Sequence, residues 1–167
     1  TPKPSSAASD VYKRQILRSA IGNNASTYLS HKIWQPFGME EDASWVTSNV
    51  GGGELGGCCI SATLRDYARI GLFALAGGVL EDGTRVLPDN WMADSIAPSK
   101  GFEGYGYLWW PHGDGSYSAL GIFQQQIYVD PMQNLVIAIH SNAPTAVGSE
   151  YHRHLRRLIP AIADYLN

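Results

Sequence analysis

The stretch that decides the fold is Tyr105–His140, YGYLWWPHGDGSYSALGIFQQQIYVDPMQNLVIAIH. Four aromatic or β-branched runs, Tyr105 to Trp110, Tyr117 to Phe123, Gln126 to Val129 and Leu135 to His140, are separated by clusters of Gly, Asp, Pro and Asn. Such runs predict strands. The connections are short, which only antiparallel neighbours permit. Asp114-Gly115 and Asp130 to Asn134 have the composition of hairpin turns.

Outward from this core the period changes to helical. Between Asn24 and Trp34, Ala25, Tyr28, Leu29 and Ile33 recur at three and four, and Pro36 bars continuation, so a helix ends before Gln35-Pro36-Phe37-Gly38. A glycine-rich stretch, Gly51 to Gly57, suits close backbone approach rather than a regular element. Next, Thr63 with Asp66 three residues on reads as a capping signal. Leu64, Ala68, Gly71, Leu72 and Leu75 then give an apolar face, and Gly77-Gly78 a stop. Pro88 opens a shorter helix to about Ala97. After the strands, Ser149 to Leu166 returns to helical spacing with Pro160 inside it. Helices, then an antiparallel sheet, then a terminal helix is an α+β pattern with helices covering the sheet.

The first fifteen residues read differently. Pro2, Pro4 and a Ser/Ala run without apolar period predict a linker-like, unstructured segment over 1–15. SSAASDVYKRQ, Ser5 to Gln15, resembles translated sequencing-linker read-through, so native sequence is expected from near Ile16, with 16–167 forming the domain portion.

With 167 residues, 44% of them apolar, the chain can bury a sizeable core. Twelve basic and fifteen acidic residues are mixed along it for a net charge of -3, which argues against nucleic acid as a partner. The longest apolar runs are too short for a membrane span. Cys58 and Cys59 are adjacent, a spacing that matches no redox or zinc motif, so they are expected to be two small buried side chains. His152 and His154 project to different faces of a helix and make a poor metal pair. No metal or cofactor is expected.

Tyr28-Leu29 through Ile33-Trp34-Gln35-Pro36-Phe37-Gly38-Met39, and Ser61-Ala62-Thr63-Leu64-Arg65-Asp66-Tyr67-Ala68-Arg69-Ile70-Gly71 after a glycine-rich stretch, resemble successive landmarks of the beta-lactamase-related serine hydrolases. Tyr105 to Trp110 and Gly121 to Pro131, GIFQQQIYVDP, resemble sheet segments of the same family. The class C-like branch, with 6-aminohexanoate-dimer hydrolases and penicillin-binding esterases, is the nearest in pattern, and the chain is similar to its C-terminal part. The resemblance implies acyl transfer on a small amide or ester. A Ser in S-x-x-K attacks the carbonyl, aided by the Lys and a Tyr, while oxyanion donors contribute about 3 to 4 kcal/mol each.

The sequence departs from that pattern at its centre. The lysines are Lys3, Lys13, Lys32 and Lys100, and Asp10, Leu29 and Ala97 stand three before the last three, so S-x-x-K does not occur. This chain alone is therefore expected to be inert, with no catalytic residue of its own. Tyr28-Leu29-Ser30 fits Y-x-S but lies too far along the chain, so Tyr28 is expected in the core. By resemblance, the inner strand near Ser118 lines the acyl site, making Ser118, Gly121, Phe123 and Gln125 candidates for substrate binding. Gln124 stands where relatives often have Gly. Glu54, a lone carboxylate in a glycine-rich loop, and Trp109, on a strand where Trp109 and Trp110 alternate faces, complete the set. The alternatives are a non-catalytic scaffold of the same fold, or a sugar- or lipid-binding module using the aromatic strands.

Overall fold

In the computed structural model, which describes residues 6–146 and 150–166, the chain divides into two units, Thr1–Thr63 and Leu64–Asn167. The first unit begins with α1, Ser6–Ile21, where composition argued for a linker. Between those bounds there is no proline, and Ala, Arg, Gln and Leu are strong helix formers, which outweighs the missing apolar period. Gly22, with φ of 74°, ends α1, its N–H donating to the Arg18 carbonyl at 2.8 Å. Residues 1–5 lie outside the described residues.

The helix expected over 24–34 forms in two parts. α2 is Ala25–Leu29, and a π-helical turn, Ser30–Trp34, follows it, with Gln35 N–H donating to the Ser30 carbonyl at 2.9 Å. Pro36 cannot donate, so the widened turn closes the helix just before it. Trp34 is buried and its indole N–H reaches the Glu41 carbonyl at 2.9 Å. Tyr28 is 47% exposed, not in the core as expected, because α2 buries the side that carries Ala25. Two short strands, β1, Ser44–Trp45, and β2, Ile60–Ser61, pair antiparallel with Trp45 opposite Ile60.

The glycine-rich loop between them runs close to α1, as its composition implied. A Cβ on Gly56 would stand 2.8 Å from Arg14 Cβ, and one on Gly53 would stand 2.5 Å from Asn23 Oδ1. Cys58 and Cys59 are not the two small buried side chains expected. They are joined by a disulfide and both are exposed. A glycine-flanked loop lets adjacent half-cystines meet where a regular element would hold them apart.

In the second unit, α3, Leu64–Leu75, starts where the capping signal placed it. Its buried face is the expected one only in part: Gly71 is buried and Leu75 packs on the core, but Leu64 and Leu72 are both 44% exposed, and Tyr67, Ile70 and Ala74 turn inward instead. Gly71 sets this orientation, because a Cβ there would lie 2.5 Å from Val136 Cγ1 and 2.8 Å from Ile127 Cγ2. Asp66 is fully buried, with Arg69 Nη1 3.6 Å away. After a turn over Pro88 comes α4, Trp91–Ile96, starting later than Pro88 suggested because Asn90 adopts a left-handed φ of 63°.

Four strands then form one antiparallel sheet in sequence order: β3, Trp110–Pro111; β4, Tyr117–Leu120; β5, Gln126–Asp130; and β6, Leu135–Ile139. The registers pair Trp110 with Ser118, Ser118 with Tyr128 and Tyr128 with Ile137. Both hairpin turns form at the expected residues. The run from Tyr105 to Trp109, read as strand, is instead a tight bend. Leu108 has φ of 71°, and Gly106 N–H donates to the Trp109 carbonyl at 2.8 Å. A Cβ on Gly106 would come within 2.0 Å of the Ser95 carbonyl oxygen, so only glycine lets this bend seat against α4. Pro111 is tolerated because β3 is an edge strand.

Ala74, Tyr117, Ile127 and Val129 form the core, where α3 packs on β5 and β6. Burying Ile127 and Val129 is worth roughly 1.5 to 3 kcal/mol each. The last element is α5, Glu150–Leu166, with Pro160 inside it; Ser149 lies outside the described residues. The architecture is thus α+β, an antiparallel sheet covered by a helix and followed by a C-terminal helix.

Candidate functional site

Gly121, Phe123 and Gln125 come together in one structure, the turn between β4 and β5. Gly121 N–H donates to the Gln125 carbonyl at 2.7 Å and Gln124 N–H to the Gly121 carbonyl at 3.0 Å. Gln124 adopts φ of 70°, the region glycine enters freely, so the turn carries some backbone cost here.

The Gln125 side chain braces the turn from inside. Its Oε1 accepts from Phe123 N–H at 3.1 Å and its Nε2 donates to the Ser141 carbonyl at 2.8 Å. Ala143 N–H closes the brace on the Phe123 carbonyl at 3.2 Å. A Cβ on Gly121 would fall 2.3 Å from Gln125 Oε1, which explains the glycine. Leu120, Ile122 and Phe123 are exposed around this rigid backbone, so the turn presents an apolar rim.

Ser118 lies three residues upstream of Gly121, on β4. It is fully buried, and its Oγ accepts from Gln126 Nε2 at 2.8 Å and shares a hydrogen bond with His112 Nε2 at 2.9 Å. A hydroxyl so enclosed ties β4 to its neighbours in the sheet. His112 sits at the surface, stacked on Tyr128 with ring centroids 5.9 Å apart. Burial of one ring edge pushes its pKa down, Asp114 opposes that and Arg156 adds to it. Asp114 in turn accepts from Ser116 N–H and Oγ, bonds that hold its carboxyl below the usual range.

Sequence reading missed His112 and Gln126. The signal was available: the hairpin over Asp114-Gly115 sets Trp110 opposite Ser118, and Gln126 is diagonal to Ser118 across β4 and β5.

Trp109 packs edge-on against buried Tyr117, ring centroids 5.1 Å apart, and belongs to the core. Burial there raises the Tyr117 pKa to about 12. Trp110 meets Tyr105 at 4.7 Å and Phe102 at 6.3 Å. Glu54, in the first unit, is committed to local structure: its Oε1 accepts from Ser26 Oγ at 2.6 Å and Ser26 N–H at 2.9 Å. These bonds at the start of α2 lower its pKa. Of the six candidates, Gly121, Phe123 and Gln125 therefore build the turn, with Phe123 in its rim, while Ser118, Trp109 and Glu54 are engaged in packing or helix anchoring. Among the described residues no group of His, Cys, Asp and Glu is arranged to hold a metal, and no helix is long and apolar enough to cross a membrane.

The family model described as Beta-lactamase matches residues 5–161. The chain belongs to the beta-lactamase family. This beta-lactamase-family chain is 32% identical over 152 residues to the 6-aminohexanoate-dimer hydrolase of Paenarthrobacter ureafaciens, a match covering 82% of the chain and 38% of that protein. A solved structure from Bacillus anthracis, provisionally named a 6-aminohexanoate-dimer hydrolase, superposes with a TM-score of 0.79 at 31% identity, covering 91% of the chain and 41% of that structure. The chain therefore spans about two fifths of the length of these relatives. The family match begins within the segment read as linker-like.

Proposed function

We propose that this chain is part of a serine hydrolase acting on a small amide or ester, contributing the sheet and the apolar-rimmed turn at 120–123 to the acyl site. In the whole protein the nucleophilic Ser and its Lys come from residues upstream of Thr1. The observation that carries this reading is the pairing of a hydrolase-family match with a sequence that holds no S-x-x-K. Both relatives bear the name of a hydrolase for a dimer of an amino acid, which favours an amide substrate.

On this reading each part of the turn has a task. The braced backbone of Gly121 to Phe123 keeps its position while charge develops on the carbonyl oxygen, which is the condition for preorganised stabilisation. Leu120, Ile122 and Phe123 exclude water and contact an apolar acyl chain. Ser118, with His112 and Gln126, fixes the strand that carries the turn.

Two measurements test the reading. The purified 167-residue chain is expected to leave nitrocefin and p-nitrophenyl esters unhydrolysed and to take no label from a fluorophosphonate; stoichiometric labelling of a serine would refute it. Recovery of the adjoining coding DNA is expected to reveal S-x-x-K in frame. A start codon near Ile16 would favour a non-catalytic scaffold instead. The carbohydrate- or lipid-binding alternative draws support from exposed Phe102 and Tyr107, but Trp109 is spent in the core.

A further inference from the structure

The feature that the hydrolase reading leaves unused is the pair Cys58 and Cys59. Both are exposed, bonded to each other, and held in a loop flanked by Gly56 and Gly57. Cys59 carries φ of 82°, a left-handed conformation that a non-glycine residue leaves when it is free to do so. Both carbonyls are committed to β1 and its extension: Cys58 accepts from Trp45 Nε1 at 3.0 Å and Cys59 from Val46 N–H at 3.1 Å. The Trp45 indole N–H is shared with the Leu55 carbonyl at 2.9 Å, so this one side chain gathers both ends of the loop. Trp45 also walls a small cavity of about 100 Å³ with Ser26, Ser30, Trp34 and Ile60.

We propose that Cys58–Cys59 is a reversible thiol–disulfide exchange site for low-molecular-weight thiols, and that its redox state sets how the 55–59 loop is anchored on Trp45. Exposure is what distinguishes exchangeable disulfides from structural ones, and among the described residues Cys58 and Cys59 are both exposed. The pair is also unsuited to cross-linking the fold, since it joins neighbours in sequence and closes no loop worth constraining.

In the reaction, a small thiolate attacks one Sγ, the S–S bond breaks, and the other cysteine leaves as a thiolate that takes a proton. A second thiol then attacks the mixed disulfide and leaves as the oxidised small molecule, releasing the second protein thiol. Two electrons pass from two small thiols to the pair. Once opened, Cys59 can relax from its left-handed φ, which turns the peptide whose carbonyl holds Trp45.

The test uses the whole 167-residue chain and three readouts. After incubation with oxidised glutathione, no thiol is expected to react with a chromogenic thiol reagent under native conditions. After dithiothreitol, both are expected to react, with peptide mass spectrometry placing two alkyl groups on the peptide containing Cys58 and Cys59. Tryptophan emission is expected to change on reduction and to return on reoxidation. That response is expected to vanish in Trp45→Phe while the thiol titration stays the same. Two reactive thiols persisting in oxidised glutathione would overturn the proposal. So would emission that ignores reduction, or a response that survives in Trp45→Phe. The first two readouts need no variant, so a poorly folding substitution does not blunt the test.

Discussion

Two turns of one sheet, 121–125 between β4 and β5 and 130–134 between β5 and β6, solve the same problem by different means. The second is self-contained. Asp130 Oδ1 accepts from Met132 N–H at 2.9 Å and Gln133 N–H at 3.2 Å, its Oδ2 accepts from Tyr128 Oη at 3.2 Å, and Asn134 takes the left-handed position at φ of 50°. The first turn borrows its support: Gln125 reaches out to Ser141, and Ala143 reaches back to Phe123. A turn closed by its own residues only connects strands. One tied to a distant segment has its position fixed in the fold, which is what a surface meeting a ligand requires.

The largest effects should come from removing the two anchors. Asp130 is buried and makes three hydrogen bonds, so Asp130→Ala is expected to cost about 2 to 3 kcal/mol in a denaturant titration. Amide exchange should accelerate at Met132 and Gln133 and stay slow at Phe123. Gln125→Ala is expected to cost about 1 to 2 kcal/mol, with the opposite pattern: faster exchange at Phe123 and Ala143, unchanged at Met132. Equal acceleration in both turns from either variant would erase the distinction.

Gly121 sharpens the comparison, because the atom a new Cβ would strike belongs to Gln125. Gly121→Ala alone is expected to cost about 1 to 2 kcal/mol, less in a Gln125→Ala background, which removes the contacts with Oε1 and Cδ but keeps the Cβ 2.9 Å away, and least in a Gln125→Gly background. Additive costs in the double variant would mean that the backbone, rather than the Gln125 side chain, demands glycine.

A smaller pair of changes probes the left-handed residues. Gln124→Gly at φ of 70° is expected to stabilise the chain by about 1 kcal/mol, since relief of the left-handed cost exceeds the added chain entropy. Asn134→Gly is expected to change stability by only a few tenths of a kcal/mol, because Asn tolerates that region. Thermal melts of the two variants would rank them.

The contrast also explains how much was legible in the sequence. Turn 130–134 announces itself, since Asp, Pro and Asn act through bonds to their own neighbours. β4, β5, β6, α2, α3 and the terminal helix were likewise readable, because their periods are local, whereas the two-residue strands β1 and β2 and the bend over Tyr105–Trp109 were not. The brace on Gln125 was not, because its partner lies sixteen residues away and no pattern near Gln125 points to Ser141. The inward turn of Trp109 and the outward turn of Leu64, Leu72 and Tyr28 depend on what packs opposite, which periodicity cannot name. α1 was missed for the converse reason: helix propensity acted without any apolar pattern to mark it. Family resemblance located the 121–125 turn, while only geometry separated its rim from buried Ser118.

The third turn, over Asp114-Gly115, lies between these extremes and gives the smallest expected effect. It has an internal Asp114 to Ser116 anchor like the second and a longer contact from His112 to Ser118 like the first. His112 has its pKa lowered from about 6.5 in the folded chain, chiefly by burial against its neighbours. Above pH about 6.5 the imidazole is neutral in folded and unfolded chains alike, so its contribution does not vary. As pH falls below that value the unfolded chain takes up the proton first, and linkage then removes stability until the folded imidazole also titrates. A shallow loss of stability beginning near pH 6.5, absent from His112→Gln, is the expected result of denaturant titrations at successive pH values. An identical profile in the variant would place the pH response elsewhere and leave His112 a surface ring, reducing this turn to the self-contained kind.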